Sequence, residues 1–197
     1  ETGAVAIVSD GLLYLFGGED GDAVLDNSVV YDPGTQQWQP LPPMPTARTM
    51  AVGGVLGSKL YVVGGSDGSQ PLRTCEAYDP AGEAWTDCPP LEMGRMAAGS
   101  AAFLNKLYVM GGSVQGEDGE AGSYGEVFDA ADQEWTPFNI PMLAEAPDWP
   151  YLGVSNVETH IYALGGEHGG QMSDALYVYR PLVYQFFIPA ASAGGGE

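Results

Sequence analysis

Positive charge is scarce in this chain: 197 residues carry six Lys and Arg against 26 Asp and Glu, a formal net charge of −20. A surface this negative repels phosphate backbones and anionic headgroups, which argues against nucleic acid and anionic membrane as partners. It suits a basic partner, a metal cation or solubility alone, and the plainest reading is a solvated acidic surface. Cysteine is almost missing, and two residues cannot make a disulfide framework. Histidine is limited to His160 and His168. No apolar run approaches the roughly 18 residues of a membrane-spanning helix, so membrane insertion is not expected. Long regular segments are lacking too, because 29 Gly and 15 Pro interrupt the chain. That density disfavours long helices and suits short strands joined by turns. A hydrophobic content of 45% is ordinary and argues against wholesale disorder.

The ends say little. No cleavable signal sequence is visible at the start. Residues 1–3, Glu1-Thr2-Gly3, resemble the scar of a secretion-type expression vector, and residues 191–197 read as a linker-like tail. The scar leans the compartment toward extracellular, with cytoplasmic as the alternative.

What the chain does have is a repeat. Four Gly-Gly doublets, Gly17-Gly18, Gly64-Gly65, Gly111-Gly112 and Gly165-Gly166, stand at spacings of 47, 47 and 54. Each follows a short apolar run, such as Leu13-Tyr14-Leu15-Phe16 or Leu60-Tyr61-Val62-Val63. Each precedes an aromatic, Tyr31, Tyr78, Phe128 or Tyr179, and seven residues further on come Trp38, Trp85, Trp135 and, in the fourth copy, Phe186. In the second repeat, strands are predicted at 50–56, 59–63, 74–78 and 84–88 from Val, Tyr and Leu bounded by Gly, Pro and Asp. Asp32-Pro33-Gly34 and Asp79-Pro80 supply turns between third and fourth strands. A hairpin centred near Gly34-Thr35 sets Tyr31 opposite Trp38, a cross-strand aromatic pair contributing on the order of 1 kcal/mol beyond its area. The same register sets Cys75 opposite Cys88, where a disulfide is geometrically allowed; free thiols are the alternative in a reducing compartment.

An apolar run, Gly-Gly, Tyr, then Trp seven residues later resembles the Kelch repeat, the blade of a β-propeller. The resemblance covers residues 4–190, with repeats at about 4–48, 49–95, 96–148 and 149–190. The segment Leu41-Pro42-Pro43-Met44-Pro45-Thr46-Ala47-Arg48 and Met93-Gly94-Arg95 are similar to inter-blade segments of BTB–Kelch proteins. The resemblance implies an all-β propeller with four blades of four antiparallel strands. Three readings of its closure follow: a four-bladed ring closed by side-chain packing, a partial ring completed by self-association, or a piece of a longer propeller. The fourth repeat departs most, with Arg180-Pro181 where Asp-Pro is usual and Phe186 for Trp.

By the same resemblance, ligands meet a rim carrying the loops after each Gly doublet and the segments between blades. The doublet loops hold Glu19, Asp20 and Asp22, then Asp67, then Glu117, Asp118 and Glu120, then Glu167 and His168. The inter-blade set holds Arg48, Arg95 and the segment 145–151, with Trp149 and Tyr151. Trp149 reads as lying outside the repeat pattern, a rigid-loop aromatic suited to an interface, or else as a plug at the channel mouth. Arg48 and Arg95 are candidate contacts for a partner, against the alternative that they pair with carboxylates and hold loops.

Chemistry is poorly supported. Gly64-Gly65-Ser66-Asp67-Gly68 satisfies G-x-S-x-G, but a nucleophile elbow needs a following helix, and the repeat's own doublet explains the match. Asp20-Gly21-Asp22 and the acidic 117–120 stretch do not follow a calcium-loop pattern. No metal site, cofactor or catalytic set is therefore assigned. The leading expectation is a non-catalytic module whose rim binds a protein or peptide of basic or mixed charge. By resemblance this is a Kelch substrate-recognition or scaffold domain. The alternatives are a self-assembling partial propeller and a carbohydrate-processing or oxidase-like Kelch enzyme.

Overall fold

A computed structural model describes residues 2–115, 124–139, 149–168 and 170–181. These form antiparallel sheets, and within each blade the strands given below are neighbours in chain order. Blade one contains Val5–Ser9, Leu12–Phe16, Ser28–Asp32 and Gln37–Leu41. Blade two contains Val52–Leu56, Lys59–Val63, Cys75–Asp79 and Ala84–Cys88. Blade three contains Gly99–Phe103, Lys106–Met110, Tyr124–Asp129 and Glu134–Asn139. In blade four the described strands are Leu152–Val157, His160–Gly165 and Leu176–Tyr179. The fourth strand expected there, with Phe186, and the 191–197 tail lie outside the described residues. This is the four-blade propeller arrangement that the repeat implied.

Local chemistry sets the strand ends. The Asp32 carboxylate accepts the Gly34 N–H at 2.7 Å, and Asp79 and Asp129 accept the Ala81 and Ala131 N–H groups at 2.9 Å each. An Asp side chain that satisfies its own turn in this way fixes the hairpin. The register then follows: Tyr31 faces Trp38, Tyr78 faces Trp85 and Phe128 faces Trp135. Their ring centroids lie 4.9, 5.2 and 5.1 Å apart. Cys75 pairs with Cys88 in the same ladder, and the two form a disulfide with Cα atoms 5.1 Å apart.

Alternation along each strand gives every blade two apolar faces, and the core lies between blades. Phe16, Val5 and Ile7 of blade one meet Leu60, Val62 and Tyr78 of blade two. Leu56, Val63 and Ala77 of blade two meet Leu107, Val109 and Phe128 of blade three. Tyr108 and Met110 of blade three meet Leu152 and Ile161 of blade four. The blade tryptophans also tie neighbours: Trp85 donates to the Pro42 carbonyl at 3.0 Å and Trp135 to the Pro89 carbonyl at 2.7 Å.

Backbone hydrogen bonds run from blade to blade as well. Met50 N–H donates to the Gly3 carbonyl at 2.8 Å, Ala97 to Met50 at 2.9 Å and Tyr151 to Ala97 at 2.7 Å. Thr2 exchanges backbone bonds with Glu19, as Thr49 does with Ser66. Thr2 and Gly3 therefore sit in the repeat register and do not stand apart from the fold.

Candidate functional site

The Gly doublets organise one end of the blades. Both glycines of each pair have positive φ, 64° and 103° at Gly17 and Gly18, a region L side chains rarely adopt. Close approach adds a second constraint: a Cβ on Gly65 would stand 2.7 Å from the Thr49 carbonyl oxygen. The freed space admits the inter-blade segment, so doublet loop and inter-blade segment pair directly. Gly94–Met96 forms a two-stranded ribbon with Ser113–Gln115, and Gly112 bridges Trp149. The two sets of loops that the sequence assigned to one rim are brought together.

The positions carrying the scarce cations behave differently from a contact surface. Arg48 is 1% exposed. Its guanidinium pairs with Glu76 at 2.8 Å and donates to the Gly64 and Thr74 carbonyls at 3.0 Å each. Glu76 also accepts the Thr46 hydroxyl at 2.6 Å. Burial pulls the Arg48 guanidinium below the usual arginine value, while the charge of Glu76 opposes that shift. Arg95 repeats the arrangement, pairing with Glu126 and donating to the Gly111 carbonyl at 3.0 and 3.1 Å. Glu126 further accepts the Glu92 N–H at 2.6 Å. These arginines hold inter-blade segments from inside; their charge is not offered to a partner on the rim.

Trp149 is the third member of the series. It does not lie outside the repeat pattern: it is 54 residues after Arg95, the same interval that separates the third and fourth doublets. Its carbonyl accepts the Gly112 N–H, as the Arg48 and Arg95 carbonyls accept from Gly18 and Gly65. Its indole N–H donates to the Gly165 carbonyl at 2.9 Å, where the arginines reach Gly64 and Gly111. Tyr177 occupies the ladder position of Glu76 and Glu126, and its ring meets the Trp149 ring edge-on at 5.4 Å. An aromatic pair thus replaces the ion pair in the last interface. Glu76, Glu126 and Tyr177 were missed in the sequence reading. The signal was their ladder position opposite the second strand, once extra residues in the third repeat are counted.

The exposed rim carries carboxylates where it is described, together with Arg73 of the blade-two loop, whose guanidinium donates to the Leu91 carbonyl at 2.7 Å. Asp20 and Asp22 are exposed on the tip of the ribbon formed by Glu19–Asp20 and Ala23–Val24. Glu19 accepts the Thr2 hydroxyl at 3.1 Å. Asp67 is exposed, but its carboxylate turns back on its own loop, accepting the Ser69 and Gln70 N–H groups at 2.8 and 2.9 Å. The backbone N–H groups of Gln70 and Ser69 hold that carboxyl below the usual carboxylate range. The blade-two loop sits beside the blade-one loop, since a Cβ on Gly68 would be 3.1 Å from Val24. Tyr151 is exposed, at a φ of 61°. His168 falls in the small ribbon Glu167–His168. Glu117, Asp118 and Glu120 lie outside the described residues.

The G-x-S-x-G match at Gly64–Gly68 leads into a loop and the strand Cys75–Asp79, with no helix following. Ser66 of the G-x-S-x-G match is buried, and its hydroxyl accepts the Gly68 N–H at 3.1 Å inside a turn. Among the described residues no group of three His, Cys, Asp or Glu is placed to hold a metal ion.

Blades joined through buried aromatic layers, with glycine-lined loops at one rim, define a β-propeller. The chain belongs to the Kelch-repeat family: the KLHDC2/KLHL20/DRC7 Kelch-repeats domain matches residues 1–166. Among solved structures it is similar to that titled "Structure of YjhT", at 19% identity and a TM-score of 0.76. The likeness covers 91% of this chain and 62% of that one, so the chain spans about three fifths of its length. No curated protein sequence matches the chain.

Proposed function

We propose that this domain is a non-catalytic interaction module that binds a protein or peptide of basic or mixed charge on its doublet-loop rim. The observation that carries the reading is the division of charge at that rim. Asp20 and Asp22 project into solvent, whereas Arg48 and Arg95 are enclosed in ion pairs. A partner therefore meets carboxylates, with the exposed Arg73 of the blade-two loop as a cation, all backed by a rigid scaffold, the usual setting for recognition on loops. Membership of the Kelch-repeat family supports a protein partner, and the net charge of −20 supports the sign of the partner's surface.

A panel of basic, mixed and acidic peptides titrated by fluorescence anisotropy tests this. Basic and mixed peptides bind, binding weakens as salt rises, and the double variant Asp20→Asn/Asp22→Asn binds several-fold more weakly with an unchanged fold. Preferential binding of acidic peptides, or indifference to the double variant, contradicts the proposal.

A further inference from the structure

The repeat register makes the two ends of the blade series comparable with its interior, position by position. Each interior interface joins a leading face of one blade to a trailing face of the one before it. On the leading face of blade two, Leu60, Val62 and Tyr78 are at most 1% exposed because blade one covers them. The same ladder positions on blade one are Leu13, Leu15 and Tyr31, all partly exposed, and Trp38 beside them is 52% exposed. Val8, on the same face, is exposed as well.

Blade four shows the converse. On the trailing faces of blades one to three, Phe16, Val63 and Met110 are at most 2% exposed. Their equivalent, Leu164, is 55% exposed. Leu176 and Val178, next to it on the neighbouring strand, are exposed too. Val157 is exposed where its counterpart Leu56 is buried. Tyr177 and Tyr179, the alternate residues on that strand, pack against blade three, so the strand is seated and only its outer face is bare. The series of inter-blade backbone bonds likewise starts at Gly3 and ends at Tyr151 among the described residues.

The two bare faces are opposite halves of one recurring interface. We propose that a second copy of this chain docks on them head to tail, the trailing face of blade four against the leading face of blade one. Two copies joined at both ends carry eight blades, within the four to eight of propellers. Contact between unlike faces closes into a ring only when the rotation per copy allows it, and two copies close when each spans half the ring. Large exposed apolar faces mark association sites, and these two carry the side-chain pattern that the interior blades already use. The charge of −20 on each copy opposes association, and salt relieves that opposition.

Absolute mass by light scattering, over a protein dilution series at low and high salt, tests the pairing. The expected mass is about twice 20.7 kDa at the higher concentrations, falling toward 20.7 kDa on dilution, with the larger species favoured by salt. Val8→Asp and Val178→Asp alter one face each at solvent-exposed positions, so both variants keep the far-ultraviolet circular dichroism of the parent chain. Each is expected to stay at the single-chain mass. A single-chain mass for the unaltered protein at every concentration overturns the proposal. So does association that survives in both variants, which places the interface elsewhere. Loss of association in only one variant shows that like faces meet, and overturns the head-to-tail pairing.

Discussion

Glu126 is accepted into the interior only because Arg95 and the backbone surround it. The carboxylate takes the Arg95 guanidinium at 3.0 Å and the Glu92 N–H at 2.6 Å while 1% exposed. Breaking such a pair from one side leaves a buried charge without compensation. Glu126→Gln is therefore expected to lower stability by about 3 kcal/mol, the lower end for a buried pair because the amide keeps one acceptor. Urea denaturation with an unchanged slope measures it, and Asp20→Asn, on the exposed ribbon, serves as a control with little effect. A loss no larger than the control's shows that the pair is not buried as described. At this scale the sequence was only half legible. Arg48 and Arg95 stood out because cations are scarce, but scarcity says nothing about which way a side chain points. Their burial depends on Glu76 and Glu126, each some thirty residues away and on a different element.

At the scale of the strand and hairpin the sequence was most informative. Side chains alternate with a period of two, so one correctly placed turn fixes a whole ladder. Placing the turn after Asp32 and Asp79 put Tyr31 on Trp38, Tyr78 on Trp85 and Cys75 on Cys88, and the structure has those pairings. Cys75 and Cys88 close a loop of 13 residues around the outer hairpin of blade two. Reduction is expected to cost about 3 kcal/mol by the chain-entropy relation for loops of this length. Unfolding with and without reductant checks it; an unchanged midpoint contradicts it. Trp149 shows where local reading fails. The extra residues of repeat three lengthened the period from 47 to 54 and made the residue look like part of an insertion. Counted by the lengthened period, it falls on the arginine position.

Among the described residues, blades two and three are held from both sides, whereas blades one and four are each held from one. The number of blades and the identity of their faces were legible, because both follow from the repeat. Whether a face is covered was not, since coverage depends on what stands beyond the last blade and no residue within a repeat encodes it. The acidic rim was legible as composition, and its division into exposed carboxylates and enclosed arginines was not. Arrays whose units contact only their neighbours lose structure from the ends. Amide hydrogen exchange followed over a protein dilution series is the most direct measurement of this arrangement. The account predicts steady protection in Lys59–Val63 and Lys106–Met110, the second strands of blades two and three. It predicts protection in Leu12–Phe16 and His160–Gly165 that falls as the protein is diluted and the end faces are uncovered. Equal protection of all four strands at every concentration would contradict it, and would mean that four blades close on themselves.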